Sequence, residues 1–456
     1  MLTQCAKNNR PVPLTSTVIR GVQRGLDEFD VAREARPKII DAKHLSGFAQ
    51  NPLLDLHASC MFPLTAVPNY DFLVPQRTIF GWGRWPEVGP AAAQLGSRVF
   101  LVLGSRSLAA SGFVEQLRGI FENNRVELIE LAAIDREPEV SDVDLAVARI
   151  REQAVRSGDI VMGVGGGSAI DLAKGVAALA TNLVGSGVQD YLEGVGRGHQ
   201  LNSPPLPVIA MPTTAGTGSE ATKNAVISCY DPPFKKSLRS ELLVPRLAIV
   251  DPQLTVSVPP SITAQAGMDA ITQLIESYIS RKARPIPRAL ALEGLRRAIP
   301  AIVEAVTDGN SRPARESMAH AALLSGMALA NSGLAMAHGV AAALGVHFRV
   351  PHGLACAVML PSALRANREV CQHELAEIAQ AIGIQQDDSE SAMADALVDC
   401  IERICEQVNV NLRLSDLGVS RQDLPALVRD SRGNSMDGNP RRLTDNELLQ
   451  ILEARL

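Results

Sequence analysis

The chain has 456 residues, 46% hydrophobic and 20% charged, enough apolar material for two or three domains with sizeable cores. Its 44 basic and 49 acidic residues leave a net charge of -5, which argues against a nucleic-acid-binding surface, and 4% aromatic content supplies no stock of stacking platforms for single strands. No run reaches the roughly 18–20 apolar residues of a membrane helix, so neither nucleic acid nor membrane is expected as a partner.

Seven cysteines, an odd number with no C-x-x-C pair, exclude a disulfide scaffold and a tetracysteine zinc site and fit a reducing, cytoplasmic compartment. Cys400 and Cys405, five apart in a helical stretch, read as small buried apolar residues. Residues 1–26 lack the apolar core of a secretory signal. Lys7, Arg10, Arg20 and Arg24 ahead of Asp27 only faintly suggest a transit segment, since the stretch is neither clearly amphipathic nor Ser-rich.

Residues 1–70 mix Pro11, Pro13, Pro37, Pro52, Pro63 and Pro68 with short helical stretches such as 18–35. They read as an extension that wraps the body or mediates subunit contacts, with partial disorder as the alternative. From about Arg77 an alternating α/β pattern begins. Residues 98–103 (RVFLVL) form an almost wholly apolar run, as expected of a strand covered on both faces. A helix over 112–123, a strand over 126–131, a helix over 143–156 and a buried strand over 159–164 follow, the succession of a doubly wound parallel sheet.

The strand at 159–164 runs into Gly165-Gly166-Gly167-Ser168 and a helix beginning near Ser168. Consecutive glycines let backbone N–H groups approach an anion, and the helix N-terminus adds unpaired donors and the positive end of its dipole. The loop is neither G-x-G-x-x-G nor a P-loop, and a ligand-free tight turn is the alternative. Asp171 and Lys174, three apart, read as a bare pair as a solvated ion pair. Further strands are expected at 207–212 and 247–250, separated by a polar, β-like stretch. The first leads into a loop, residues 212–222 (PTTAGTGSEAT), at the end of a parallel strand where open α/β sheets bind ligands. A capped helix start at Thr217 or Ser219 is the competing reading.

After about Pro259 the texture becomes nearly continuous helix: 264–280, 289–305, 315–330, 334–345 and 355–366, with Pro361 expected to kink or break the last. Residues 389–408 and 444–454 also read as helical. Asp269 and Gln273 lie four apart on one helix face. Together Asp269, His338 and His352 would give a divalent cation one carboxylate and two imidazoles if the fold brings them together. An isolated core histidine is the alternative for each imidazole, whereas an unpaired carboxylate in an apolar helix is costly. The reading is an α/β plus all-α chain: an N-terminal extension (1–70), a doubly wound dinucleotide-binding domain (71–258) and an all-helical metal and substrate domain (259–456).

Five stretches in order, GGGSAIDLAK (165–174), PTTAGTGSEAT (212–222), VDPQLTVSVPPSITAQAGMDAITQLIE (250–276), MAHGVAAALGVHFRVPHG (336–353) and NPRRLTDNEL (439–448), resemble the iron-containing (group III) alcohol dehydrogenases. The resemblance spans roughly residues 71–456 and includes the fold shared with glycerol dehydrogenase and dehydroquinate synthase. It implies an NAD(P)-dependent oxidoreductase interconverting small alcohols and aldehydes, with Fe(II) or Zn(II) in a cleft, assembled as a homo-oligomer, a dimer or larger. By the same resemblance Gly165, Gly166, Gly167 and Ser168 hold the coenzyme diphosphate, and Asp171, Thr213, Thr214, Thr217 and Thr222 line the nucleotide and nicotinamide region. Asp269, His338 and His352 match metal ligands.

This chain departs from the pattern twice. The usual histidine four residues after the aspartate is Gln273, a neutral and weaker donor that is either a fourth ligand or a supporting group. The usual histidine four residues after His338 is Ala342, so no histidine proton relay is expected. After the strand at 98–103, Gly104-Ser105-Arg106-Ser107 stands where NAD-specific members tend to carry an aspartate. With no acid to bind a 2′-hydroxyl, Arg106, Ser105 and Ser107 are expected to receive a 2′-phosphate, which favours NADP over NAD. A hydroxyacid–oxoacid transhydrogenase, a cyclising lyase and a catalytically idle member are the rival readings.

Overall fold

A computed structural model describes residues 67–104, 108, 110–182, 184–384 and 389–456. The expected extension lies outside the described residues except for 67–70, as do Ser105, Arg106 and Ser107. Eight strands are present among the described residues: β1 (Arg77–Phe80), β2 (Arg98–Gly104), β3 (Glu127–Ile134), β4 (Asp159–Gly165), β5 (Val208–Pro212), β6 (Asn224–Tyr230), β7 (Pro233–Arg239) and β8 (Leu247–Val250). Six form one parallel sheet in the order β1-β8-β5-β4-β2-β3. The polar stretch between β5 and β8 is a separate antiparallel hairpin, β6 with β7.

Every residue of β2 and β4 is buried, which is why both read as unbroken apolar runs. One face of the sheet packs Val99, Leu101, Ile160 and Met162 against α1 (Val88–Leu95) and α2 (Phe113–Asn123). The other packs Phe100, Val102 and Val161 against α3 (Val140–Glu152) and α4 (Gly167–Thr181). The sheet is therefore doubly wound, as the sequence predicts. Helix α3 begins three residues before the expected start because Glu139 and Asp142 form a capping box.

A buried charge pair fixes the register of the two central strands. Arg98 and Asp159 are directly paired residues of β2 and β4. Nε and Nη2 of Arg98 donate to the two Asp159 oxygens, each at 2.7 Å. The remaining guanidinium donors reach the carbonyls of Gln153 and Ala154, both at 3.1 Å, and Arg156 N donates to Asp159 at 2.8 Å.

Beyond the sheet come α5 (Pro260–Ile279), α6 (Pro285–Thr307), α7 (Arg312–Ser332), α8 (Met336–Phe348), α9 (His352–Asn367), α10 (Gln372–Ala381), α11 (Glu390–Gln407), α12 (Leu424–Asp430) and α13 (Asp445–Glu453). Every residue of α5 from Gly267 to Ile279 is buried, which makes it the central helix of this part. The expected break at Pro361 does not occur: α9 continues to Asn367. Proline removes the amide that would bond the Ala357 carbonyl, and the Cys405 thiol approaches that carbonyl instead, at 3.9 Å. Packing of Ala357, Leu360 and Leu364 into the core adds to its support. No single helix among the described residues is long and apolar enough to cross a membrane.

Candidate active site

The strand order reverses between β2 and β4, where β3 and β5 lie on opposite sides, and the glycine loop stands at that point. Gly165 has φ +152°, and a Cβ placed on it would come within 2.7 Å of Gly104 Cα, so the two strand ends meet backbone to backbone. Gly166 precedes α4 in an extended conformation with no side chain capping the helix, which leaves the first-turn N–H groups without a side-chain acceptor.

The second loop closes over the first. Thr213 N donates to Gly165 O at 2.8 Å. The Thr214 side chain faces Gly166, and Thr217 lies so close to Gly167 that a Cβ there would meet its Oγ1 at 2.6 Å. Thr213, Thr214 and Thr217 are thus assembled with Gly165, Gly166, Gly167 and Ser168 around one loop. The competing expectation of a capped helix fails: residues Ser219–Ala221 form one short turn after a left-handed Gly218 (φ 61°).

Asp171 and Thr222 face inward. The Asp171 carboxylate accepts from Ser219 Oγ and from Val226 N, the latter at 3.0 Å. Lys174 is fully buried, and its Nζ donates to Thr222 O (3.0 Å), Thr222 Oγ1 (2.9 Å), Ser219 Oγ (3.2 Å) and Asn224 O (2.9 Å). The expectation of a solvated Asp171–Lys174 pair is corrected: the two stand 3.8 Å apart inside the protein and tie the second loop to α4. Lys174 sits among Ala173, Val176 and Ala177, so no solvent-facing side of α4 is available to it.

Glu220 lies in the same network, 2% exposed, and burial pushes its carboxyl from 4.5 up to about 7 despite the opposing pull of its own backbone N–H and Lys174. The unfolded chain ionises near 4.5 while the folded chain holds the proton, so this group removes stability as pH rises between those values, by up to about 3 kcal/mol. Glu220→Gln is therefore expected to match the wild type in denaturant unfolding at pH 4.5 and to exceed it at pH 8.

The second cluster joins three helices. Asp269 comes from α5, His338 from the start of α8 and His352 from the first position of α9. His338 Nε2 lies 3.3 Å and His352 Nε2 3.9 Å from the same oxygen, Asp269 Oδ1. Both Asp269 Oδ1 and His338 Nε2 are buried without a hydrogen bond, an arrangement that isolated side chains avoid and a cation would satisfy. Burial would raise the Asp269 carboxyl, but His352, His338 and Gln273 hold it below its ordinary range. Burial disfavours charge on His338, yet Cys356, Asp269 and Glu276 raise it well above the ordinary histidine value. Burial, then repulsion from Lys235, pushes His352 down to about 4. A carboxylate and two imidazoles converging on one point fit a divalent cation.

Two features escape the sequence reading. Glu276 accepts from the backbone N–H of Ala335 at 2.9 Å and of Ala337 at 2.6 Å, and meets His338 Nδ1 at 2.7 Å. It anchors the start of α8 and fixes the tautomer that aims Nε2 at Asp269. Its signal was the spacing of Asp269, Gln273 and Glu276, at i, i+4 and i+7 along one apolar helix. Cys356, one turn after His352, belongs to the same cluster. Gln273 takes the supporting position that the sequence allowed: its Oε1 accepts from Ser325 Oγ at 2.8 Å while its side chain hydrogen-bonds Asp269.

The two clusters share a floor. A Cβ on Gly216 would lie 2.8 Å from Ala266 Cβ, and one on Gly353 would lie 2.4 Å from Gln265 O. The second loop and the start of α9 therefore rest directly on α5, one turn before Asp269.

The family description "Iron-containing alcohol dehydrogenase" matches residues 75–252, and "Fe-containing alcohol dehydrogenase family, C-terminal" matches residues 263–456. Long-chain-alcohol dehydrogenase 1 of Geobacillus thermodenitrificans is 34% identical over 381 residues, 83% of this chain and 93% of its own length. The NAD-dependent methanol dehydrogenase of Bacillus methanolicus is 29% identical over 388 residues, 85% of this chain and all of its own. The crystal structure of a 1,3-propanediol oxidoreductase has a TM-score of 0.78 at 31% identity, covering 85% of this chain and 100% of its own. A doubly wound sheet followed by a helical part, in a chain with these relatives, defines an oxidoreductase acting on CH–OH groups. The chain belongs to the iron-containing alcohol dehydrogenase family.

Proposed function

We propose that the chain is a metal-dependent, NAD(P)-linked alcohol dehydrogenase and aldehyde reductase in which Asp269, His338 and His352 hold the cation. The carrying observation is the pair of buried, unpartnered atoms, Asp269 Oδ1 and His338 Nε2, facing one point beside His352. The uncapped start of α4, with Gly165, Gly166, Gly167 and Ser168, receives the coenzyme diphosphate, and Thr213, Thr214 and Thr217 line the approach to the nicotinamide. On this reading residues 71–258 form the coenzyme half and 259–456 the metal and substrate half. The enzyme works in the cytoplasm as a homo-oligomer.

When bound, the cation supplies Lewis acidity to the substrate oxygen. A coenzyme held by Gly165, Gly166, Gly167 and Ser168 would supply the hydride acceptor, so that alcohol and oxidised coenzyme would give carbonyl, reduced coenzyme and H⁺. Glu276 keeps His338 oriented through this step. Ala342 replaces the relay histidine, so the proton leaves through water, a threonine or the nicotinamide ribose. Lack of an acid after β2, with Arg106 between two serines, supports NADP(H) as the preferred coenzyme.

The test is metal content of the purified protein together with NADPH and NADH oxidation against a panel of aldehydes. Near-stoichiometric Fe(II) or Zn(II), aldehyde-dependent oxidation and preference for NADPH are expected. Hydride exchange between a hydroxy acid and an oxo acid, with no turnover of free coenzyme, would overturn the reading in favour of a transhydrogenase.

A further inference from the structure

The exchange of the family's second metal-binding histidine for Gln273 removes one nitrogen donor, and the structure brings a different donor to the cluster. Single ligand atoms of Asp269, His338, His352 and Cys356 all lie within 4.8 Å of one another. Around a tetrahedral zinc ion, with bonds of about 2.0–2.3 Å, neighbouring ligand atoms stand about 3.3–3.7 Å apart. The separations here are 3.3 Å from Asp269 Oδ1 to His338 Nε2, 3.9 Å from Asp269 Oδ1 to His352 Nε2 and 3.7 Å from His352 Nε2 to Cys356 Sγ. These three separations match or come within about 0.2 Å of that range, and the other pairs lie within 4.8 Å, so small shifts would bring all four atoms around one ion.

Local structure explains why the thiol is in place. Helix α9 begins at His352, and Cys356 is one turn further on the same face, so both side chains project together. Cys356 is fully buried, and Asp269 and His338 are 1% and 4% exposed. A thiolate, a carboxylate and two neutral imidazoles carry two negative charges, which balance a divalent cation where solvent cannot. The Glu276 carboxylate is matched separately, by the backbone N–H groups at the start of α8. Gln273 is uncharged, and its carbonyl oxygen is engaged by Ser325.

We propose that Cys356 is the fourth protein ligand of the metal centre and that the donor set Asp269–His338–His352–Cys356 selects Zn(II) over Fe(II). The inference rests on the preceding reading that Asp269, His338 and His352 bind a metal. On binding, the Cys356 S–H bond and the His338 Nε2–H bond both break, sulfur–metal and nitrogen–metal bonds form, and two protons pass to solvent with no change of oxidation state. Soft thiolate donors favour zinc over iron(II) at sites of this kind.

Cobalt(II) is the probe. The metal-free full-length chain, reloaded with Co(II), is expected to show visible d–d bands and an intense near-ultraviolet sulfur-to-cobalt charge-transfer band. In Cys356→Ser the charge-transfer band disappears while the d–d bands persist, and zinc affinity falls at least ~100-fold. Under anaerobic competition between equal Zn(II) and Fe(II), the wild type takes zinc, and the variant shifts toward iron. Wild-type d–d bands without a charge-transfer band would overturn the role of Cys356 and leave the metal site standing. Wild-type protein that binds no cobalt would overturn both. The wild-type spectrum decides the ligand question even if the variant folds poorly, and Cys356→Ala serves as a second variant.

Discussion

Asp269→Ala is expected to lower turnover by at least about a thousandfold, equivalent to about 4 kcal/mol of transition-state stabilisation, and to bring metal content to background. The size of the effect follows from position. Asp269 Oδ1 is the atom both imidazoles approach, at 3.3 Å and 3.9 Å, so its removal takes away the anionic centre of the set as well as one donor. Coenzyme binding, measured by titrating NADPH fluorescence, is expected to stay within a few-fold of the wild type, because the diphosphate loop is built from β4, β5 and α4. Loss of activity with retained metal would contradict the assignment of Asp269 as a ligand.

The second large effect concerns stability. Arg98→Met leaves the Asp159 carboxylate, 1% exposed, without its bidentate partner, and breaking such a buried pair from one side costs about 3–5 kcal/mol. The carbonyls of Gln153 and Ala154 also lose a donor. A double variant, Arg98→Met with Asp159→Leu, is expected to recover much of that loss, since it removes the uncompensated charge along with its partner. Denaturant midpoints of the wild type, both single variants and the double variant give the coupling directly. A single variant that unfolds at the wild-type midpoint would show that the pair contributes little.

The central sheet and the long helices are legible in the sequence because burial on both faces writes itself as unbroken apolar runs, and because Gly165–Gly167 and Pro259 punctuate the pattern. Short or edge elements carry weaker signals: β1 has four residues, and α10 and α12 are brief and only partly buried. Pro361 does not break α9 because the rule for proline is local, whereas Cys405, forty-four residues further on, faces the carbonyl that the ring leaves free. At the site, residue types and spacing picked out Asp269, His338 and His352. They could not show that Glu276 orients one imidazole or that Cys356 joins the set, since both depend on how α5, α8 and α9 pack. Lys174 illustrates the opposite failure. Three residues from an aspartate it reads as a surface partner, and only the fold of the loop at 219–224 turns it into an internal clamp.

The contacts at Gly216, Gly218 and Gly353 have a mechanical consequence. Gly218 and Gly326 of α7 touch through main chain alone, a Cβ on the first lying 2.4 Å from Cα of the second, Gly353 meets the Gln265 carbonyl in the same way, and Gly216 abuts the main chain and rotamer-less Cβ of Ala266. Side chains can absorb a small displacement by changing rotamer, but main chain in van der Waals contact cannot. The loop beside the diphosphate cradle and the helix that carries Asp269 therefore form a stiff joint with no cushion between them. A push on the loop toward α5 meets Ala266 directly, one helical turn from the carboxylate.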